Sequence, residues 1–226
     1  ITNAAMEPEI IDLANCLNRM GAKIEGAGTS NVKIIGVQKL KDISYNIMPD
    51  RIEAGSLLCM VATTGGKVTL NNVILEHISP IISKLEECGC KIEKEKHRIF
   101  LEAPKRLKAV DIKTMPYPGF PTDMQSVFAS MLTTAKGTSV IIENIFENRF
   151  KYMTELKKMG AKITTEGKTA IIKGVKKLSG AKVNSTDLRG GAALVTAALA
   201  SKGKTEITNI EYILRGYENL DRKLNR

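Results

Sequence analysis

Tyr117-Pro118-Gly119-Phe120-Pro121-Thr122-Asp123-Met124-Gln125, followed by Ser126-Val127-Phe128-Ala129-Ser130-Met131-Leu132, reads as a loop turning into a helix. Pro and Gly punctuate the approach, Thr-Asp supplies a start signal, and the apolar run over 126–135 marks a helix made for burial. This stretch decides the fold because the chain repeats it. Met48-Pro49-Asp50-Arg51-Ile52-Glu53 opens an apolar helix over 54–64, and Ser185-Thr186-Asp187-Leu188-Arg189 opens another over 190–201.

Working outward, each of these helices is followed by a Gly and a short β-rich run that closes on Asn: Gly66 to Asn72, Gly137 to Asn144, Gly203 to Asn209. A second helix comes next, ending in Met20-Gly21-Ala22-Lys23-Ile24, Cys88-Gly89-Cys90-Lys91-Ile92 or Met159-Gly160-Ala161-Lys162-Ile163. The Gly is a helix stop, since it takes the left-handed conformation cheaply. Two alternating β runs then meet at a polar turn, over 23–25 with 32–37, 91–93 with 98–102, and 162–164 with 170–175. Alternation predicts that Val32 and Ile34 point inward together. A further strand, over 43–47, 110–113 and 181–184, leads back to the next Asp.

The unit is strand-helix-strand-helix-strand-strand, about 65 to 75 residues long. The fold class is therefore α+β, built of repeated βαβαββ units whose helices cover one side of a sheet and must pack together. The ends do not respect the period. Thr2-Asn3-Ala4 matches the close of a β-rich run, and Leu224-Asn225-Arg226 falls in the last turn of a second helix. The expectation is a fragment of something larger, with 1–46 a part-unit of another lobe and 47–226 a domain of three units, the last truncated.

The 226 residues, 43% of them hydrophobic, are enough for a substantial core. No apolar run approaches the ~20 residues that cross a bilayer, and the start at Ile1 shows no secretion-signal pattern. Cys16, Cys59, Cys88 and Cys90 lack metal-ligand spacing. A reducing cytoplasm and no membrane partner are expected. All four cysteines read as small core residues. His77 and His97 are the only histidines, and no Gly-rich phosphate loop is present, so neither metal nor cofactor is expected. The net charge of +10 points to anionic ligands. Lys and Arg are spread through all the repeats and aromatics make up only 4%, without Trp, so nucleic acid is not the expected partner.

Asp50, Asp123 and Asp187 occupy equivalent positions. An acid there caps backbone N–H groups and stays ionised, available as an acceptor or base. Glu53, three past Asp50, reads as the second half of a capping box. Function belongs where the copies differ: Arg51 and Glu53 in one, Gln125 in the next, Arg189 in the third. The later second-helix starts carry Arg149 and Arg215, where earlier copies have Met6-Glu7-Pro8 and Glu76-His77-Ile78. Arginine forks near helix starts suit phosphate and carboxylate, so three of them beside one Asp would suit a small, multiply charged anion.

These residues resemble the UDP-N-acetylglucosamine 1-carboxyvinyltransferases, a family of enolpyruvyl transferases. The resemblance rests on Asn3-Ala4-Ala5 with Glu7-Pro8-Glu9-Ile10, Pro49-Asp50-Arg51, Phe120-Pro121-Thr122-Asp123-Met124-Gln125, Phe146-Glu147-Asn148-Arg149-Phe150, Asp187-Leu188-Arg189 and Arg215-Gly216-Tyr217-Glu218, in order along the whole chain. It implies an inside-out α/β barrel, with helices inside, in a two-lobed protein whose site lies between the lobes. The missing N-terminal lobe of the same polypeptide is then a partner, and the fragment alone is inactive. The implied substrates are phosphoenolpyruvate and UDP-N-acetylglucosamine. As catalytic residues it implies Asp123, as the base meeting the attacking hydroxyl, Arg215, as a clamp on phosphoenolpyruvate, and Asp187, as an organising acid. It places Arg149 and Arg189 as further binding arginines, and the main chain of Ile145 against the nucleotide sugar. Two alternatives share the repeat: a transferase like the 5-enolpyruvylshikimate-3-phosphate synthases, and a non-catalytic module that binds RNA or another anion.

Overall fold

The computed structural model describes residues 1–225. Its helices are α1 Pro8–Arg19, α2 Arg51–Thr64, α3 Ser79–Glu87, α4 Thr122–Leu132, α5 Lys151–Lys158, α6 Leu188–Leu199, α7 Glu211–Leu214 and α8 Leu220–Leu224. The strands are β1 Lys23–Glu25, β2 Lys33–Ile35, β3 Lys67–Asn71, β4 Lys91–Glu95, β5 Arg98–Glu102, β6 Ile112–Lys113, β7 Thr138–Ile142, β8 Lys162–Glu166, β9 Thr169–Lys173, β10 Leu178–Ser179, β11 Lys182–Asn184, β12 Ser201–Lys202 and β13 Glu206–Thr208. The middle unit is complete, as β6-α4-β7-α5-β8-β9. Its sheet has the order β6-β7-β9-β8, with β6 parallel to β7 and the other pairs antiparallel. The preceding unit gives β3-β5-β4, wholly antiparallel, and the following one pairs β11 in parallel with β13.

The three Asp-led helices form the centre. Met124 to Leu132 of α4 are all buried, as are most residues of α2 and α6. A helix that is apolar all round belongs inside. These three helices pack on one another, with the sheets outside. Small residues let them close: a Cβ on Gly55 would stand 2.8 Å from Ile81 Cδ1, and one on Gly191 would stand 2.5 Å from Ile213 Cγ1. Ser126 Oγ donates to the Arg189 carbonyl at 2.8 Å and Ser130 Oγ to that of Ala193 at 2.6 Å, so these two buried hydroxyls on the α4–α6 seam are satisfied. The outer helices end as the repeat predicts. Gly21, Gly89 and Gly160 have φ of +103°, +96° and +90°, and the next N–H groups return to the carbonyls of Leu17, Leu85 and Leu156.

Four expectations need correction. Residues 43–47 form no strand; Lys41 N–H binds the Met20 carbonyl, Tyr45 Oη binds Asp12, and among the described residues no strand lies alongside to supply a ladder. Ile34 is 57% exposed while Val32 is buried, because residues 1–4 fold over Val32, through reciprocal bonds with Ile1, and do not reach Ile34. The strand expected over 110–113 is only Ile112–Lys113, because Ser139 Oγ and Asp111 Oδ1 take the neighbouring amides that a ladder would use. The final second helix is broken into α7 and α8. Tyr217 is buried between them, and Gly216 comes so near Leu188 that a Cβ would lie 2.5 Å from its Cδ1. Arg226, where the last turn was expected to end, lies outside the described residues.

The continuous core draws its residues from Ile52 to Leu220, whereas Ala14 and Val32, buried within 1–46, stand apart from it. Among the described residues, no helix is long and apolar enough to cross a membrane.

Candidate active site

The three aspartates, equivalent in sequence, part company in space. Asp50 Oδ1 accepts from the N–H groups of Ile52 and Glu53 at 2.7 and 3.0 Å, and Asp187 Oδ1 from those of Arg189 and Gly190 at 3.0 and 2.8 Å. Both are N-caps. Asp123 is not. Helix α4 starts at Thr122, one residue before the acid instead of one after it, which places Asp123 inside the first turn with its carboxylate free to turn outward. Arg149 Nη2 donates to Oδ1 at 2.6 Å, and Arg189 Nη2 donates to Oδ2 at 3.0 Å. The cap reading fails here because guanidinium groups from two other elements take both carboxylate oxygens.

The polar residues behind the acids also separate. Arg51, 8% exposed, donates from Nε to Glu9 Oε1 at 2.8 Å, which ties α2 to α1. Glu53 receives Lys223 Nζ rather than closing a capping box. Gln125 is fully buried in the core, where its Oε1 accepts from Tyr152 Oη at 3.2 Å. Arg189 reaches the helix-start aspartate of another repeat. Its Nη1 also donates to Tyr217 Oη at 3.4 Å, and Tyr217 shares a hydrogen with Ser56 at 2.9 Å.

The Asp123 cluster opens into a cleft of about 1100 Å³. Its lining includes Asp50, Arg51, Tyr117, Asp123, Ile145, Phe146 and Arg189 from the main body of the chain, and Asn3, Glu7, Glu9, Asp12 and Cys16 from its first segment. Burial raises the Asp123 pKa, but the charges of Arg189 and Arg149 and their hydrogen bonds outweigh it, leaving the carboxyl below its ordinary value. Burial likewise disfavours charge on Arg189, and Asp123 and Tyr217 more than restore it. Within this triad one carboxylate between two guanidiniums leaves one positive charge in excess, whereas Glu7, Glu9, Asp12 and Asp50 make the rest of the cleft lining acidic.

Of the six site residues expected from sequence, Asp123, Arg149 and Arg189 meet directly. Ile145 is at the cleft wall, 37% exposed. Asp187 is spent on its cap and on Thr186 Oγ1. Arg215 is exposed at the end of α7, its guanidinium 6.0 Å from the centre of the Tyr212 ring, and among the described residues it makes no ion pair with Asp123. Cys59, Cys88 and Cys90 are buried as expected, but Cys16 is half-buried on the cleft because α1 turns that face toward it. Among the described residues, no three His, Cys, Asp or Glu side chains are grouped as a metal site requires.

Two buried acids, Glu143 and Glu155, escaped the sequence reading, and Glu143 is the one beside the cleft. Glu143, 1% exposed, accepts from the hydroxyls of Thr114 and Thr122 and from the N–H groups of Ile145 and Phe146. The available signal was an acid directly after the apolar strand Val140-Ile141-Ile142, where a solvated residue has no reason to be buried.

Comparison with known proteins gives consistent matches. The family described as EPSP synthase (3-phosphoshikimate 1-carboxyvinyltransferase) matches residues 1–224. UDP-N-acetylglucosamine 1-carboxyvinyltransferase 1 of Caldanaerobacter subterraneus subsp. tengcongensis is 56% identical over 224 residues, 99% of this chain and 54% of its own length. The enzyme of that name from Thermodesulfovibrio yellowstonii is 55% identical over 225 residues, with the same coverage. In three dimensions the chain is similar to the enolpyruvyl transferase NikO from Streptomyces tendae, with a TM-score of 0.87 at 24% identity over 99% of this chain and 54% of the other. It is also similar to EPSP synthase from Acinetobacter baumannii, with a TM-score of 0.75 at 21% identity over 94% and 53%. Both solved structures support the helices-inside fold. The chain spans about half the length of the curated relatives it matches.

Proposed function

The chain belongs to the EPSP synthase (3-phosphoshikimate 1-carboxyvinyltransferase) family, and from that premise we propose that it is the C-terminal part of an enzyme that transfers the enolpyruvyl group of phosphoenolpyruvate to the 3′-hydroxyl of UDP-N-acetylglucosamine. This is the first committed step of peptidoglycan synthesis, carried out in the cytoplasm. The choice of acceptor is supported by the names of relatives at 50–56% identity. The observation that carries the chemistry is the Asp123 carboxylate, held between Arg149 and Arg189 at the cleft.

The acceptor oxygen bonds to C2 of phosphoenolpyruvate, its proton leaves to Asp123, and the electron pair of the double bond takes up a proton from solvent at C3. The tetrahedral adduct then loses that C3 proton and breaks its C2–O bond to phosphate, restoring the double bond. Addition needs a base beside the hydroxyl, and both steps need fixed cations on phosphate and carboxylate. Without ligand, Arg149 and Arg189 rest on Asp123. An arriving anion competes for their N–H groups and frees a carboxylate oxygen for the hydroxyl proton. Arg215, exposed and able to move, closes on phosphoenolpyruvate, and Asp187 fixes the start of α6 from which Arg189 projects. The main chain at Ile145 meets the nucleotide sugar.

Residues 47–226 constitute one lobe. Residues 1–46, whose buried side chains stand apart from the main core, belong to the other lobe, along with the half of the site this chain does not carry. The test is phosphate release from phosphoenolpyruvate plus UDP-N-acetylglucosamine, measured for this chain alone and mixed with the complementary N-terminal half. The mixture is expected to release phosphate and the chain alone none. Release by the chain alone would overturn the division of the site. Release with shikimate 3-phosphate in place of the nucleotide sugar would overturn the acceptor.

A further inference from the structure

Glu143 follows β7 and is buried to 1% exposure, yet among the described residues it forms no ion pair. Four donors converge on it instead. Oε1 accepts from Thr114 Oγ1 at 2.9 Å, Ile145 N–H at 2.8 Å and Phe146 N–H at 3.1 Å; Oε2 accepts from Thr122 Oγ1 at 2.9 Å. Thr114 Oγ1 in turn accepts from Asn144 N–H at 2.9 Å. Burying a carboxyl group without hydrogen-bond partners is costly, and here both oxygens have them.

Three of these donors, on Thr122, Ile145 and Phe146, belong to two separate segments of the cleft lining. Ile145 and Phe146 lead to Arg149, which lies 4.8 Å from the centre of the Phe146 ring. Thr122 begins α4 and immediately precedes Asp123. We propose that Glu143 is a positioning residue that holds the nucleotide-sugar contact at Ile145 and the acid at Asp123 in one frame, each through its own carboxylate oxygen. This rests on the proposed function, and it adds a residue that sets substrate affinity and turnover without touching substrate.

The test uses the full-length polypeptide carrying this chain, with steady-state constants for Glu143→Ala, Glu143→Gln and Thr122→Val. Glu143→Ala is expected to raise KM for UDP-N-acetylglucosamine about tenfold and lower kcat about tenfold, the scale of buried hydrogen bonds left unmade. Gln keeps an oxygen for the two amides, so Glu143→Gln is expected to return KM to within about threefold of the parent. Thr122→Val disturbs only the Oε2 arm and is expected to lower kcat with KM unchanged. Loss in Glu143→Ala that merely tracks the folded fraction would overturn the proposal, as would a Gln variant as impaired as Ala. Amide exchange in the same proteins provides a readout independent of turnover. Ile145 and Phe146 should exchange at least about tenfold faster in Glu143→Ala and remain protected in Glu143→Gln; unchanged exchange in Glu143→Ala overturns the positioning role. If the parent itself shows no turnover, the proposed function falls, and exchange alone decides the role of Glu143.

Discussion

Asp123 Oδ2 and Arg189 Nη2 meet at 3.0 Å across 66 residues of chain. The acid of one repeat is thus held by the arginine behind the equivalent acid of the next. Because α4 and α6 pack along their length, with Ser126 and Ser130 bonded to α6 carbonyls, the pair is set by helix packing rather than by loop conformation.

That pairing has a pH signature. The folded-state pKa of Asp123 lies below its ordinary value of 3.8, so its stabilisation is fully present above that pH and is lost as pH falls through the folded value. Urea midpoints measured from about pH 5 down to about pH 2.5 should show the stability difference between the parent and Asp123→Asn shrinking below about pH 4. A difference independent of pH would mean that the ion pairs do not stabilise the fold.

The aspartates should also separate by substitution. Asp50→Ala and Asp187→Ala each remove an N-cap, at about 1 kcal/mol, and Asn at either position should recover most of it. Asn at 123 should not recover the loss of Asp123→Ala, because two part-buried guanidiniums need an anion. Denaturant titration of the six variants decides this; rescue at 123 equal to that at 50 and 187 would restore the cap reading.

Arg215 and Asp123 should differ in what they affect. In the full-length protein, Arg215→Ala and Asp123→Asn are each expected to lower turnover by about two orders of magnitude or more. In this chain, Arg215→Ala should leave stability within about 0.5 kcal/mol, as for an exposed side chain outside any network. Near-normal turnover of Arg215→Ala would remove the clamp from the proposed mechanism.

The cysteines should divide one against three. Burial pushes the thiol of Cys88 up to about 12 and that of Cys90 to about 11, and raises Cys59 well above its ordinary value. In the folded chain at about pH 8, those three should resist a thiol reagent, while Cys16, on the cleft, reacts. Peptide mapping after brief labelling identifies the modified site, and rapid labelling of Cys59, Cys88 or Cys90 would contradict the packing of α2 against α3.

Much of this architecture is local in origin and so legible along the chain. The Gly stops at 21, 89 and 160, the apolar helices behind Asp50, Asp123 and Asp187, and the alternating runs of β4, β5, β8 and β9 each follow from what a residue does to its own backbone or from which face it can bury. Their recurrence identified the repeat, and the motif residues identified the family. Tertiary structure decided which of three equivalent aspartates is held between arginines and which are caps, since that depends on guanidinium groups 26 and 66 residues away. It decided that Arg215 is exposed, that Glu53 binds Lys223, and that Glu143 is buried among four donors. Such outcomes are fixed by partners distant in sequence; side-chain periodicity tells which face is buried, but not which atom waits on the other side.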